Sequence, residues 1–594
     1  MMFVRTKTTP NSPRKSIQIV ENSRDPKTGK VKQKILRYVG IAMDDSEEEK
    51  LKQLALEFMT KMQMKAYAQS SQLSFSHPTE NETKEGIEKK KAGRKNKKRI
   101  EDVLPVDQVT LDMIIEESRI IDGVHEVAGH IYDQVNYNQV LRNNKYSHIL
   151  KDLVLCRISN PSSKLATSKA LNRYYMKEHD LDTIYRTMDH VFEKIDKIQR
   201  ITFHATASLI PQEVELVLFD VTTLHFESTQ IDELRRFGYS KNFRFNTTQV
   251  VLALATTSEG LPIGYELFEG NKAEVKTLIE AIDSWKEKFN IKKVCFIGDR
   301  AMFSEPNLKA LESRGYQYII AAKLRALPKI MHDKIMDAHN YSTAMIENDF
   351  GWVGSFIYDE KDITILQERG VKPSSIKKYQ ECIENHKNRK FVVSYVGERA
   401  SYDRKKRGIL LEKIEKQLDK SNNSAKLISN SALKKFTSSQ GKSNTYIDHE
   451  KIQEDEMWDG FHGVITNISD DAVTLSNILS QYRKLVKIED CFRVNKSTLK
   501  MRPIYHFKPE RIRAHVAICY MAFAVIRQLE YRVKLVKKIS LPSIIEELNS
   551  VQSSIYVHKV TKDRYRVPGN FSNEARKIYQ AINLKRELDA QPLL

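Results

Sequence analysis

The chain has 594 residues, 40% hydrophobic and 29% charged, enough for a sizeable core in roughly three to five domain-sized units. Lys and Arg number 97 against 77 Asp and Glu, a formal charge of +20 that argues for a polyanion, with nucleic acid ahead of a membrane surface. No run of 18 apolar residues or secretory signal is visible, and five scattered cysteines exclude a disulfide framework or CxxC zinc site, so a reducing cytoplasm is the expected home.

In chain order, Lys15 to Glu21 and Val31 to Gly40 are strand-like and flank the turn-rich NSRDPKTGK, which predicts a hairpin. Residues 44–68 have helical periodicity, with Leu51, Leu54, Phe58 and Met62 on one side. Eight of the eleven residues from Lys89 to Arg99 are basic. Such a block is either a solvated linker or an arm that follows a phosphate backbone, and the overall charge favours the arm. From Val106 to Ser208 the spacing predicts mostly helix, suited to DNA binding or dimerisation.

The texture then changes. VELVLFDVTTLHFES is β-rich with Asp220 in its middle, and two more strands follow, turning at Ser258-Glu259-Gly260. A helix over Glu274 to Phe289, the strand of KKVCFIGDRAMFS, a helix and the strand YQYIIAAKL complete an α/β order. Residues 331–455 break the pattern with short strands, a charged helix at Tyr402 to Asp419 and a Ser/Asn/Lys-rich stretch, which predicts an insertion. The core resumes at WDGFHGVITNI and leads into a helix carrying QYRKLVKIEDCFRVNKSTLK.

Three acids stand out. Asp220 lies in an apolar strand, where a carboxylate is costly unless paired or bound to metal. Asp299 ends the strand VCFIG, and strand C-termini are where open α/β sheets place their sites. Glu489 lies on the helix after the resumed core. Gathered carboxylates repel one another and need a cation, and hard oxygen ligands suit Mg²⁺, with Mn²⁺ as a substitute. Two such ions about 4 Å apart activate an attacking oxygen and stabilise a leaving one in phosphoryl displacement. Any one of these acids is more often an edge residue or a cap; the trio in order carries more weight. Tyr482, Glu489 and Lys496, spaced by seven, share one helical face with Arg493 four residues beyond Glu489. The bland alternative is an amphipathic helix with surface ion pairs.

These residues resemble the DDE transposases of bacterial insertion sequences, in the group called insertion sequence family four. Its third motif reads Tyr, two residues, Arg, three residues, Glu, six residues, Lys. Tyr482, Glu489 and Lys496 match, while the Arg position holds Leu485, for which Arg493 or Arg483 would substitute. Asp299, Ala301 and Phe303 fit the second motif, and Asp220 with Thr222 resembles the first. The stretch with Tyr239, Ser240 and Lys241 resembles a segment between the first two acids in one branch. The likeness covers residues of about 150 to 530.

The resemblance implies an RNase H-like α/β core interrupted by a mixed insertion, preceded by a helical DNA-binding region and a small N-terminal β-hairpin unit. The expected divisions are 1–45 hairpin unit, 46–105 helix and basic linker, 106–208 helical region, 209–330 first core part, 331–455 insertion, 456–540 second core part and 541–594 tail. It implies metal binding and catalysis by Asp220, Asp299 and Glu489. Tyr482, Arg493, Lys496, Lys241 and Arg300 are the expected DNA contacts. The partners are the inverted-repeat ends and target DNA, held by a homodimer at the nucleoid and not at a membrane. The rival expectations are a structure-selective nuclease on the same core and a non-catalytic DNA-binding descendant. Trp458, Trp352 and His515 are expected to pack rather than act.

Overall fold

The computed structural model describes residues 2–8, 15–24 and 31–42, eight helical positions between 45 and 59, and residues 111–593 other than 211–215, 239–245, 290–294, 300–302, 347–348, 421–433, 441–443 and 470–472. The basic run 89–99 therefore lies outside the described residues, as do Lys241, Arg300 and Ala301. The chain forms two compact units, Met1–Leu104 and Pro105–Leu594.

In the first unit, β1 (Met2–Thr8), β2 (Lys15–Arg24) and β3 (Val31–Ala42) form an antiparallel sheet in that order. The expected β2–β3 hairpin is present and gains β1 on its other edge. Alternation sends Ile17 and Ile19 inward, where they pack with Ala42 and Ala55 and against Leu51 and Met59 of the helical stretch. Lys15 bonds Glu48 at 2.7 Å, tying sheet to helix.

The second unit is built on a nine-stranded sheet that runs β10 (Ser342–Ile346), β11 (Asp349–Phe356), β12 (Lys390–Tyr395), then β15, β9, β8, β5, β6 and β7, while β13 (Thr437–Gln440) and β14 (Asn444–Ile447) pair with each other. Its middle holds β5 (Leu216–His225), β6 (Gln249–Thr256), β7 (Pro262–Glu269), β8 (Cys295–Gly298), β9 (Gln317–Ala321) and β15 (Phe461–Thr466). The pairs β5–β6 and β6–β7 are antiparallel, and β5–β8 and β8–β9 are parallel. Gly260, at φ +84°, supports the turn between β6 and β7.

Both faces are covered, so the central strands are apolar on both sides. Leu218 and Leu224 of β5 join a core with the helices Asn144–Ser159, Leu181–Phe192 and Pro509–Lys534. Val217, Phe219 and Val221 face the opposite core, with Leu278 and Trp285 of the helix Glu274–Phe289 and Leu311 of the helix Glu305–Ser313. The helix Pro509–Lys534 is long and apolar enough to cross a membrane, but its apolar window is 94% buried in this fold. It is the spine of the first core.

Three features differ from the sequence expectation. Residues 106–208 contain β4 (Ile114–Ile121) as well as helices, and β4 pairs antiparallel with β16 (Gln552–His558). The last segment, expected as a tail, folds into the helices Leu541–Ser550 and Asn573–Ala581 and strands β16, β17 (Arg564–Pro568) and β18 (Gln591–Leu593). Within 331–455, strands β10 (Ser342–Ile346), β11 (Asp349–Phe356) and β12 (Lys390–Tyr395) extend the central sheet. The physical reason is visible in β12: Phe391 and Val393 enter one core while Val392 enters the other, which demands neighbours on both faces.

Candidate active site

Parallel pairing sets the first two acids side by side. Phe219 on β5 is in register with Gly298 on β8, and each is followed by an aspartate, Asp220 and Asp299. Neighbouring strands lie about 4.8 Å apart, so the two carboxylates start from adjacent backbone positions. Alternation also gives them one face. Leu218 on β5 and Cys295 and Ile297 on β8 enter the first core, and Asp220 and Asp299 follow at the same parity. Asp220 is half-buried, and its Oδ1 accepts the Val221 N–H at 2.7 Å.

Gly298 makes this approach possible. A Cβ there would lie 2.5 Å from Phe303 Cε2 and 3.0 Å from the Phe219 carbonyl oxygen. The strand end therefore fits closely between β5 and the Phe303 ring.

Glu489 comes from the helix Val486–Arg493, which buries Ile488, Cys491 and Phe492 and leaves Glu489 exposed. Two contacts fix this helix. Cys491 Sγ donates to the Gly260 carbonyl at 3.5 Å, and Arg527 Nη2 donates to Asp490 Oδ2 at 2.6 Å. Beyond it, Lys496 Nζ donates to Thr222 Oγ1, two residues past Asp220 on the same face of β5. The Lys496 ammonium also sits 5.4 Å above the Phe492 ring centre.

Tyr482 belongs to a separate helix, Leu475–Arg483, and Lys496 to a π-turn over Val494–Thr498. The seven-residue spacing therefore does not run along one uninterrupted helix. The site is nevertheless shared: burial pushes the Tyr482 hydroxyl up to about 12, and the charges of Asp299 and Glu489 push in the same direction. Tyr482 thus lies within the fields of both acids.

Other expected contacts are arranged differently. Arg493 is 66% exposed and paired with Asp490, three residues back on its own helix. Arg483 is held by Asp349 at 2.8 Å and by the Ile346 carbonyl at 3.0 Å. Trp458 is 7% exposed and packs against His332, and His515 is buried in the core, both as expected. Trp352 is 43% exposed, its ring 5.4 Å from that of Tyr395.

A cavity of about 450 Å³ opens beside Glu489, lined among others by Arg399, His462, Tyr482 and Leu485. Arg399 and His462 join the site only in the folded chain. His462 follows the quoted Trp458-Asp459-Gly460, and Arg399 opens the charged helix Gly397–Lys420; neither has a spacing that marks it. The His462 ring lies 5.3 Å from that of Tyr482. Burial, then the charges of Arg399 and Arg483, lowers its pKa to about 4, so it is neutral at pH 7.

Among the described residues, no three His, Cys, Asp or Glu side chains already stand close enough to hold a metal ion. The donor chemistry at Asp220 and Asp299 nonetheless fits a hard divalent cation: two carboxylates on adjacent parallel strands, facing one way. The helix that carries Glu489 packs against β5, with Ile488 in the same core as Leu218.

The family described as Transposase DDE domain matches residues 212–525, and the family described as IS1634 family transposase, N-terminal domain, matches residues 3–65. No curated protein matches the chain. Among solved structures it is similar to piggyBac transposase in a synaptic complex with hairpin DNA, at 9% identity and a TM-score of 0.35, covering 72% of this chain and 77% of that one. It is also similar to Mos1 transposase in a paired-end complex, at 11% identity and a TM-score of 0.14, covering 28% and 55%.

The chain belongs to the DDE transposase family, DNA phosphoryl-transfer enzymes whose DDE domains generally use divalent metal ions. With the N-terminal match it is a transposase of a bacterial insertion sequence, and its function is DNA transposition. That match names the IS1634 family, where the sequence motifs resembled insertion sequence family four.

Proposed function

We propose that Asp220, Asp299 and Glu489 are the catalytic carboxylates of this transposase, holding Mg²⁺, or Mn²⁺ in its place, within an RNase H-like core. The observation that carries this is the register Phe219↔Gly298, which sets Asp220 beside Asp299, with the Glu489 charge reaching the same Tyr482. The order β7-β6-β5-β8-β9, three antiparallel strands followed by two parallel ones, supports the core assignment. The stretch between β9 and β15 supports an insertion that is shared between the sheet and the helix Gly397–Lys420.

When bound, the cation supplies charge neutralisation and a lowered pKa for the attacking oxygen. The chain's own residues do the rest. Lys496, anchored on Thr222, places an ammonium beside Asp220, where a DNA phosphate approaches. Tyr482 stays protonated at neutral pH and donates its hydroxyl to a phosphate oxygen. Arg493, Lys241 and Arg300 add backbone contacts. Water first attacks at the transposon end, and the freed 3′-hydroxyl then attacks target DNA at the same acids, so one site serves both phosphoryl transfers. The 106–208 region and the basic run 89–99 bind the inverted-repeat ends, and a homodimer holds two ends at the nucleoid.

The test is Glu489→Gln. The variant is expected to bind end DNA like the parent and to lose cleavage with Mg²⁺. Cleavage by this variant would overturn the assignment. Joining of end-bearing oligonucleotides to a plasmid separates a transposase from a nuclease, which cuts without joining.

A further inference from the structure

Beyond Lys496 the chain follows β5 away from the acids. Arg502 Nη1 lies 3.3 Å from His225 Nδ1, and Ile504 bridges Phe226 in parallel. His225 lies five positions beyond Asp220 on β5, about 17 Å away at the usual rise. At that end the structure opens a cavity of about 660 Å³ whose walls include Arg157, Lys164, Lys500, Arg502, His506 and His515 and, among the described residues, no Asp or Glu.

The composition of this cavity is unusual because its cations are inside the protein. Arg157 is 4% exposed and Lys164 is 3% exposed. Buried Lys and Arg ordinarily have an acid beside them, because an uncompensated charge in the interior is costly. Here Arg157 Nη2 donates to the Ser162 carbonyl at 2.8 Å, and Lys164 Nζ lies 3.3 Å from His515 Nδ1. Neither contact neutralises charge. Burial, and after it the Arg157 charge, lowers Lys164 to about 7. Burial, then Lys164 and Arg157, lowers His506 to about 3.

Ser162, Ser163 and Lys164, which also line the cavity, begin the helix Lys164–Tyr175, so the positive end of a twelve-residue helix meets the same wall. Lys500 and Tyr505 at the mouth are exposed. A wall that holds the buried Arg157 guanidinium, the buried Lys164 amine and a helix N-terminus suits an anion of two or three oxygens, whose charge would also hold Lys164 protonated.

We propose that this cavity binds a phosphate group of the DNA strand that the enzyme cuts, at a point away from the scissile phosphate; the DNA part rests on the site assigned above. The strand would enter past Lys496 and Thr222 and run along the Lys496–Lys508 segment, with Arg502 at the mouth and Lys164 and Arg157 at the base. The same chemistry would accept a free phosphate compound, and the experiment separates the two sources.

The full chain is melted in inorganic phosphate and in chloride at equal ionic strength, as the parent, Lys164→Gln and Arg502→Gln. Phosphate is expected to raise the parent's Tm and to leave that of Lys164→Gln unmoved, with a reduced shift for Arg502→Gln. Lys164→Gln removes a buried amine that pairs with no acid among the described residues, so its own Tm in chloride is expected to equal or exceed the parent's. Should that variant fail to fold, Arg502→Gln at the half-buried mouth decides. Absence of a phosphate-specific shift in the parent overturns the site.

In the second arm, end-DNA affinity is measured across a salt series. Each variant is expected to bind about tenfold more weakly, with a salt slope shallower by about one. A phosphate shift with unchanged DNA affinity and slope overturns the DNA assignment in favour of a free phosphate compound. A parent that binds no end DNA indicts the transposon-end function instead, while the melting arm still decides the cavity.

Discussion

Lys496 Nζ donates to Thr222 Oγ1, joining the segment that follows Glu489 to the strand that carries Asp220. The two residues are 274 positions apart in sequence. This bond holds the third acid's element over the face where the first two acids stand. It also places a positive charge beside Thr222, two residues beyond Asp220 on the same face of β5.

That contact gives the first prediction. Lys496→Met keeps most of the apolar stem over Phe492 and removes the charge, so the fold should hold while catalysis suffers. A charge-assisted hydrogen bond is worth about 1.5–3 kcal/mol, or roughly 10- to 100-fold in rate. Single-turnover cleavage of end DNA should slow by that factor, and Thr222→Val should slow it less. A Lys496→Met enzyme with parental cleavage would show that the ammonium plays no part.

Gly298→Ala should damage both stability and activity. Its Cβ would press on Phe303 Cε2 and on the Phe219 carbonyl, and overpacking of this kind costs about 1–3 kcal/mol. Tm should fall, and Asp299, the next residue, should lose its alignment with Asp220. Phe303→Leu added to Gly298→Ala should restore part of the Tm; no restoration would mean that the carbonyl clash dominates.

Arg527 supports the Glu489 helix from behind. It is 4% exposed and bonds Asp490 at 2.6 Å and Glu530 at 2.5 Å, and Glu530 is 6% exposed. Arg527→Met leaves the buried Glu530 with Lys534 alone, 2.7 Å away, so the loss should fall below the about 3–5 kcal/mol of a fully broken buried pair. Thermal melting should show it. Adding Glu530→Gln should recover part of the stability, because a buried carboxylate left with one of its two cations is part of the cost.

His462 makes stability depend on pH. Its folded pKa of about 4 lies below the unfolded value of about 6.5. The unfolded chain therefore binds the proton first, so stability is full above pH 6.5 and is lost as pH falls from 6.5 to 4. The size is on the order of 3 kcal/mol. His462→Asn should flatten the Tm profile over that window, and an unchanged profile would move the effect to other groups such as His506, lowered to about 3.

The sequence exposed the acids better than their arrangement. Asp220 and Asp299 were visible because each interrupts or ends an apolar strand, a local property. Their adjacency was not, because the register of β5 against β8 depends on the whole sheet. Glu489 was visible from its spacing to Tyr482 and Lys496, yet that spacing assumed one helix where the chain breaks after Arg483. The pairing of β4 with β16 was hidden because more than 400 residues lie between them. Strand β12 reads from sequence as part of an insertion, because short apolar runs do not announce which sheet they join. Arg399 and His462 carry no local signal; only the folded cavity beside Glu489 brings them to Tyr482.

The most direct test of the account measures metal-dependent cleavage and joining of transposon-end DNA by the parent and by Asp220→Asn, Asp299→Asn and Glu489→Gln, with end binding measured in parallel. The parent is expected to cut and join with Mg²⁺ or Mn²⁺, and all three variants are expected to bind the ends but do neither. Cleavage by any one of the three at the parent's rate would contradict it.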